Sequence, residues 1–218
     1  VALLAVSALL ASCSESELWQ NPQTEARDGY IMLNFKTEIP AMQEVVTRAV
    51  DPDGGGVQDM TLFCFDSYGL FISTVKAGVT VQKPGPGEME GTFKAEVPEN
   101  TRTIHFLANQ NMDEFKEDSF RNKSESEVMA VLEGSSGRMI YWGRFACDAG
   151  NDSNIAEQMA TSGNSVKLIR NHARISVDNP DNNGHIVITG FAVCNTNAFG
   201  TVAPHHPKKG FDFTWPSS

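Results

Sequence analysis

The sequence predicts an all-β protein built from antiparallel β-sandwiches. Three observations lead to this class: short segments alternate apolar and polar residues, turn-forming residues separate them at fairly even spacing, and one segment alone has a helix signature. A chain of 218 residues is long enough to bury a hydrophobic core. We therefore expect an N-terminal β-sandwich domain with one short helix over residues 29–163. The start of a second β-sandwich domain, truncated, is expected over residues 164–218.

The composition argues against some classes of partner. The formal net charge is −10, from 17 Lys and Arg against 27 Asp and Glu. Nucleic acid is not an expected partner, because phosphate backbones are bound by clusters of basic residues. The aromatic residues are 13 Phe against 3 Trp and 3 Tyr, which is typical of a packed core rather than of a glycan-binding platform.

The first residues have the features of an export signal. Residues 1–11 form an apolar run that is too short to span a bilayer as a mature helix. We predict that residues 1–12 are a signal peptide whose positively charged n-region is missing. The sequence Leu10-Ala11-Ser12-Cys13 resembles a bacterial lipobox, which makes Cys13 the predicted lipidation site. The alternative is an ordinary signal peptide that happens to contain a cysteine.

Residues 13–28 are predicted to form a lipidated tether. Ser14-Glu15-Ser16-Glu17 resembles the acidic surface-export signals of some Gram-negative lipoproteins, and a solvated tether is a compatible reading. More than one lipid chain gives stable anchoring, because each buried methylene contributes about 0.8 kcal/mol. The predicted location is the outer membrane, at the cell surface.

The first predicted strand of the N-terminal domain is Tyr30–Glu38. Ile31, Leu33 and Phe35 alternate with polar residues and point to one face, as in a half-buried strand. A flexible, exposed loop is predicted over residues 47–56, where an Asp-Pro pair and three glycines follow one another.

The remaining predicted elements are one helix, a domain boundary and further strands. A capping-box pattern, Ser124 with Glu127, predicts the one helix, which should stop at Gly134. A composition shift over residues 149–164 predicts the domain boundary. The further predicted strands are Val57–Ser67, Leu70–Lys76, Gly91–Val97, Thr101–Asn109, Arg138–Cys147, Ser165–Asn179 and Gly184–Asn195.

No set of residues in the sequence predicts catalysis, a metal or a cofactor. His205 and His206 lack carboxylate or cysteine neighbours at ligand spacing, so a loop is favoured there, while His105 and His172 lie in predicted strands as structural residues. The acidic loops lack the later ligands of an EF-hand. A buried, inert thiol is expected at Cys64, and neither it nor Cys147 and Cys194 has metal-site spacing. We predict that the protein is not an enzyme.

Several segments in order resemble the fimbrillin family of type V pili, the lipoprotein subunits, anchors and tip proteins of Gram-negative anaerobes. After the lipobox and the isolated first strand comes Arg48-Ala49 in the loop. The likeness covers residues 1–204, and no single motif in it is highly specific. The later segments that carry it read MTLFCFDSYGLFI, TIHFLANQN, LIRNHARISV and ITGFAVCNTNAFGTVAP.

The resemblance implies a transthyretin-like β-sandwich and an assembly mechanism. An Arg-specific protease would cut the bond between Arg48 and Ala49, and the first strand would leave. A strand from a neighbouring pilus subunit would then replace Ile31, Leu33 and Phe35 by donor-strand exchange. The donor segment would lie at a C-terminus beyond this sequence. Other pilus subunits, in a homo- or hetero-polymer, and the protease are the implied partners, and cell adhesion is the implied role.

A second function remains open. A monomeric outer-membrane surface lipoprotein that binds glycan or protein would share the lipobox and the strands. It would not need Arg48 or a removable first strand. Trp19, Trp142 and Trp215 are far apart in the sequence, which weighs against a glycan-binding cluster. An exported hydrolase ranks last, because no nucleophile and base are paired.

Overall fold

The computed structural model has the predicted all-β fold. It describes residues 26–38, 57–84, 89–135, 139–171, 189–190, 192, 194 and 199–214. Two sheets, in which most strand pairs are antiparallel, face each other as a sandwich, and neither closes into a barrel. The elements in chain order are β1 Tyr30–Glu38, β2 Met60–Phe65, β3 Phe71–Lys76, β4 Gly78–Pro84, β5 Met89–Pro98, β6 Thr103–Ala108, a 3-10 helix Glu117–Phe120, α1 Glu125–Val131, β7 Glu133–Ser135, β8 Tyr141–Ala146, α2 Ile155–Thr161, β9 Ser165–Lys167, β10 Ile169–Arg170, β11 Phe199–Thr201, β12 His205–His206 and β13 Gly210–Phe211.

The two large sheets differ in size and strand order. The four-stranded sheet has the order β4-β5-β1-β9, and the five-stranded sheet has the order β10-β8-β6-β2-β3. Two further two-stranded sheets, β11 with β7 and β12 with β13, are not hydrogen-bonded to the large sheets in the described part of the chain. Most pairs are antiparallel, but β9 runs parallel to β1.

An inner core fills the space between the two large sheets. Alternating side chains of β1 and β5 meet alternating side chains of β2 and β6, as the period of two in the sequence requires. Helix α2 adds Ile155, Ala156 and Met159 to this core. Leu33, Phe35, Leu62 and Phe106 are at most 1% exposed, which makes them part of the dry centre of the molecule.

An outer layer covers the other face of the five-stranded sheet. Phe63, Phe65 and Trp142 project into it from the sheet. They meet Phe120 of the 3-10 helix, Val128 and Met129 of α1, and Val202 and Ala203 near the end of the described chain. The central strands of this sheet are therefore buried on both faces, which explains why all six residues of β2 are buried and five of them are apolar.

The structure corrects the prediction of a single helix. Helix α1 begins where the capping box predicts, with Ser124 as N-cap and Glu127 reaching back to its backbone, but it ends at Val131 rather than at Gly134. Gly134 instead belongs to β7, which pairs with β11. A second helix, α2, begins at a second capping box made by Asn154 and Glu157. The composition shift over residues 149–164 therefore contains a helix that packs on the sandwich.

The predicted long strand Ser165–Asn179 begins as two short strands in different sheets. β9 pairs with β1 in the four-stranded sheet, and β10 pairs with β8 in the five-stranded sheet. Gly143 of β8 permits the crossing, because a Cβ there would lie 2.6 Å from the Lys167 carbonyl oxygen. Residues 165–170 thus lie in the sheets of the first sandwich, past the predicted boundary at residue 163. The predicted second domain stays a prediction, since most of residues 172–198 lie outside the described part.

Two smaller differences concern β4 and the segment with His205 and His206. β4 pairs with β5 and was not predicted, since its sequence ends in the Pro-Gly turn signal. His205 and His206 form a two-residue strand with β13 instead of a loop. Among the residues that the structure describes, no helix combines the length and the apolar character that crossing a bilayer requires.

Candidate functional site

β1 is the element to which the sequence assigns the function, and it forms one wall of the inner core. Ile31, Leu33 and Phe35 are 7%, 1% and 0% exposed, as the alternation predicts. Thr37, on the same face, is also fully buried. Lys36 and Glu38 on the other face are exposed.

The two edges of β1 are paired to different extents. On one edge β1 pairs with β5 from Tyr30 through Thr37, in an antiparallel ladder that sets Phe35 opposite Phe93. On the other edge β9 reaches only Lys36, Thr37 and Glu38. The peptide groups of Met32 and Asn34 face that same edge, because peptide direction alternates along a strand, and the described residues place no strand beside them.

Phe35 is the best-packed side chain of β1. Its ring stacks on Phe93 with centroids 5.5 Å apart, and it meets Phe106 edge to face at 5.0 Å. Phe93 belongs to the same sheet and Phe106 to the facing sheet, so this ring joins the two sheets. Such aromatic pairs contribute about 0.5–1.5 kcal/mol beyond the area they bury.

Separate contacts hold the two ends of β1. At the N-terminal end, the backbone N–H and the Nε of Arg27 donate to the two carboxylate oxygens of Glu96, at 2.6 and 2.8 Å. The Arg27 guanidinium also lies over the Tyr30 ring, 4.3 Å from its centroid. The backbone hydrogen bond from Arg27 is the largest of the effects that lower the pKa of Glu96. We call this contact between Arg27 and Glu96 the clasp. It is mostly exposed, with 68% of the Arg27 side chain accessible.

The C-terminal end of β1 is held by the segment that follows α2. The Lys36 N–H donates to the Asn164 carbonyl oxygen, and the Leu168 N–H donates to the Glu38 carbonyl oxygen, both at 2.7 Å. The Ser165 hydroxyl donates to the Glu38 carboxylate at 2.5 Å. Among the described residues, β1 is therefore paired on both edges at this end and on the β5 edge at the other end.

A polar network lies on the opposite side of the molecule, under α1. The Trp142 indole N–H donates to His105 Nδ1 at 3.0 Å, and His105 Nε2 lies 2.7 Å from Glu125. Arg144 donates to both oxygens of Glu125, at 2.7 and 3.2 Å. The Phe213 ring covers the imidazole, with centroids 4.7 Å apart. Because Nδ1 accepts a hydrogen bond, it carries no proton. His105 is therefore the neutral tautomer that donates from Nε2.

The pKa shifts of this network follow from burial and pairing. Burial lowers the pKa of His105, and the hydrogen bond to Glu125 offsets this only in part. Burial raises the pKa of Glu125, but hydrogen bonds from His105 and Arg144 outweigh it and bring that pKa to about 2. Both nitrogens of His105 are engaged, so the ring has no free lone pair with which to act as a base. The network is a structural device that joins α1 to the sheet.

Cys64 of β2 lies in the inner core, as predicted. Burial raises the pKa of its thiol to about 12, which keeps it protonated and unreactive at neutral pH. Cys147 is partly buried, with a pKa raised mainly by burial, and Cys194 is exposed; all three thiols are free.

The remaining predicted site residues lie outside the described residues or apart from β1. Cys13, Arg48, Ala49 and His172 lie outside the described part, so lipidation and processing stay predictions. His205 and His206 are exposed on β12. Within the described part, no group of three or more His, Cys, Asp or Glu could hold a metal ion.

Two features of the site had no sequence signal. The Arg27–Glu96 clasp joins residues 69 positions apart, and the His105–Glu125–Arg144 network joins a strand, a helix and a second strand. Such contacts follow from topology, which local periodicity does not give. The burial of Thr37 could have been predicted, since it continues the alternation that Ile31 begins.

Comparisons with known proteins leave the family open. No protein-family model matches the sequence, and no curated protein matches it. The crystal structure of a putative cell adhesion protein from Bacteroides eggerthii DSM 20697 is similar to this chain, with 11% sequence identity and a TM-score of 0.35. The match covers 64% of this chain and 40% of that protein, so the present chain spans less than half of the neighbour's length. A TM-score this low does not establish a shared fold.

Proposed function

We propose that this chain is a structural subunit or accessory protein of a surface fimbria, exported as a lipoprotein and assembled by protease-triggered donor-strand exchange, and that it serves cell adhesion. In this proposal Cys13 carries the lipid anchor and the bond between Arg48 and Ala49 is cut. The chain has no catalytic role. Its partners are other subunits, the outer membrane before processing, and an Arg-specific protease.

The observation that carries the proposal is the position of β1. This strand forms one wall of the inner core and is followed in sequence by the Arg48 segment. Among the residues that the structure describes, β5 pairs with it from Tyr30 through Thr37, and β9 pairs with its last three residues on the other edge. Burying Ile31, Leu33 and Phe35 contributes about 1.5–3 kcal/mol for each side chain. Their sum is about 5–9 kcal/mol, comparable with a whole domain's stability of about 5–15 kcal/mol. A domain that lost β1 would strongly favour a replacement strand.

Strand addition suits the chemistry of this groove. Eight residues of β5, from Gly91 to Pro98, lie opposite β1 and provide backbone hydrogen-bonding groups. The inner core provides pockets for alternate side chains. Removal of β1 would uncover both at once. An incoming strand that runs antiparallel to β5 and parallel to β9 would restore the ladder and the core together.

The test replaces the proposed processing residue in cells that express the full-length protein. We expect Arg48→Ala to leave an uncut, lipidated precursor at the surface, with no filaments by electron microscopy and reduced adhesion. The matched control is Arg121→Ala, since Arg121 is exposed and its ion pair in the described part of the chain is the local one with Asp118, three residues away. Filaments and adhesion unchanged in Arg48→Ala would contradict assembly by processing. Adhesion without filaments would favour the monomeric surface lipoprotein.

A further inference from the structure

The groove that β1 fills has one position where β1 itself fits poorly. We propose that this groove binds an extended strand of a second chain that carries an apolar β-branched residue at the position of Thr37, and that it binds such a strand more tightly than it binds β1. This inference rests on the proposed strand exchange and specifies the chemistry of the incoming strand.

Thr37 is the one hydroxyl residue on the core face of β1. It is 0% exposed, and its Oγ1 has no hydrogen-bond partner among the residues that the structure describes. The neighbouring core positions of β1 are Ile31, Leu33 and Phe35, which are all apolar. A buried hydroxyl without a partner destabilises the folded state, because it loses its hydrogen bonds to water and gains none.

Backbone pairing on both edges keeps the Thr37 side chain on the core face of β1. Thr37 is paired on both edges, opposite Gly91 of β5 and Val166 of β9. Lys36 and Glu38, on either side, are bonded through their backbones to Asn164 and Leu168. This is the part of β1 where strands lie on both sides, so the side chain at position 37 must enter the core.

Valine has the shape of threonine without the hydroxyl group. A strand with valine at this position would keep the same contacts and avoid the unsatisfied oxygen, which predicts binding about five- to tenfold tighter. The gain gives strand exchange a direction, since β1 can be displaced by a strand that fits better. β1 is then a temporary occupant of the groove.

The register of the incoming strand is set by the neighbouring aromatic position. Phe35 lies between Phe93 and Phe106, and a shift by one residue would turn every apolar side chain to the other face. The partner strand is therefore expected to have apolar residues at the positions of Ile31 and Leu33, an aromatic residue at Phe35 and an apolar β-branched residue at Thr37. Its alternate positions are free to be polar, because Lys36 and Glu38 are exposed.

The experiment measures displacement of β1 by labelled peptides. The 218-residue chain receives the recognition sequence of a site-specific protease between residues 39 and 56, and it is cut without being unfolded. Fluorescent peptides of residues 26–38 are then added with the native sequence or with Thr37→Val, Thr37→Ser or Asn34→Val. Asn34 is half-buried on the opposite face, so Asn34→Val controls for added apolar character. Fluorescence anisotropy gives the affinity of each peptide.

We expect the Thr37→Val peptide to bind about five- to tenfold more tightly than the native peptide, and Thr37→Ser to bind more weakly. Asn34→Val should change the affinity by less than about twofold. Equal affinity of the Val and Thr peptides, or an equal gain in the Asn34→Val control, would overturn the inference and leave strand exchange intact.

A second measurement separates this inference from the proposed function. Thr37→Val in the uncut chain should raise the urea midpoint, whether or not β1 ever leaves. A lower or unchanged midpoint would overturn the inference on its own. Suppose that no peptide replaces β1 while Thr37→Val stabilises the uncut chain. The preference for an apolar residue at position 37 would then stand, but strand exchange and the proposed partner strand would both be contradicted.

Discussion

β1 and β2 both fill the inner core, but they are held in very different ways. β2 pairs with β6 along all six of its residues and with β3 from Thr61 through Phe65, and all six of its residues are buried. Within the described part of the chain, β1 has an extended ladder with β5 alone, from Tyr30 through Thr37, and its outward face is partly exposed. We therefore expect β2 to leave the structure only when its sheet unfolds, whereas the described strands hold β1 along the β5 edge and at three residues of the other edge.

The difference shows that core burial and permanence are separate properties of a strand. Phe35 of β1 is as deeply buried as Phe63 of β2. Burial decides how much the fold loses when a strand is absent, and pairing decides how readily the strand leaves. A strand that combines deep burial with incomplete pairing is suited to replacement by an equivalent strand from elsewhere.

The largest predicted effect comes from truncating one buried phenylalanine in each of the two strands. Phe35→Ala and Phe63→Ala should each lower the free energy of unfolding by about 3–5 kcal/mol, because each removes a fully buried ring. Urea unfolding followed by circular dichroism measures both losses.

Rescue in trans then separates the two strands. In the chain cut between residues 39 and 56, a native peptide of residues 26–38 should restore the stability lost in Phe35→Ala. A peptide of residues 57–67 should not restore Phe63→Ala, since β2 is enclosed between β3 and β6. Rescue of both variants, or of neither, would remove the distinction between the strands.

The next effect concerns the outer layer that covers β2. Glu125→Gln removes the ion pair with Arg144 and should lower stability by about 2 kcal/mol at neutral pH. The pKa of Glu125 is about 2 in the folded state against a usual 4.5, so its contribution is present above pH 4.5 and lost as pH falls towards 2. Urea midpoints below pH 4.5 should therefore fall less steeply in Glu125→Gln than in the native chain; equal slopes would contradict this assignment.

His105 adds to the same acid sensitivity. Its pKa lies below the usual 6.5 in the folded protein, so the unfolded chain takes up the proton first, and stability falls as pH drops below 6.5. Protonation would also place a proton on Nδ1, against the Trp142 indole N–H. Because the folded-state pKa is lowered, Trp142 fluorescence of the folded protein should stay constant near pH 6.5 while stability already falls, and a fluorescence change of the folded protein near pH 6.5 would contradict the lowered pKa of His105.

A smaller effect at alkaline pH again belongs to β2. The pKa of Cys64 is raised from 9.0 to about 12, so the stability it contributes is complete below pH 9 and is lost as pH rises towards 12. Cys64→Ala should be less stable at neutral pH, because it leaves a small cavity, yet its stability should decline less above pH 9. Urea midpoints compared across this range test the sign.

The smallest effect concerns the exposed end of β1. Glu96→Gln removes the charge that Arg27 contacts, and we expect little change in the urea midpoint, since exposed ion pairs contribute little. Exchange of β1 in the cut chain should nevertheless become faster. Asp118→Asn is the matched control, because it removes the partner of Arg121 at a place remote in sequence from β1. Equal exchange rates in the two variants would show that the clasp does not retard the departure of β1.

The sequence predicted the elements whose signals are local. The alternation of Ile31, Leu33 and Phe35 predicts β1 with its bounds, and Ser124 with Glu127 predicts the start of α1. Helix α2 carried the same capping signal in Asn154 and Glu157, but a shift in composition had suggested a boundary there. The capping signal of α2 is thus present in the sequence, and it outweighs the composition shift as a guide to the structure here.

Long-range features were not predictable from local patterns. The parallel pairing of β9 with β1, and the change of sheet at Leu168, depend on how the chain crosses the end of the sandwich. The close approach at Gly143 and the neutral state of His105 depend on contacts between distant elements. Of these features, the pairing with β9 decides which end of β1 is held on both edges by the described strands.

The measurement that tests the central claim most directly is the N-terminal sequence and intact mass of the mature protein taken from cell surfaces. If β1 is a temporary occupant of its groove, the mature chain begins at Ala49. A chain that begins at a lipidated Cys13, and stays uncut in the presence of an Arg-specific protease, would contradict that claim. β1 would then be a permanent strand of an anchored surface lipoprotein.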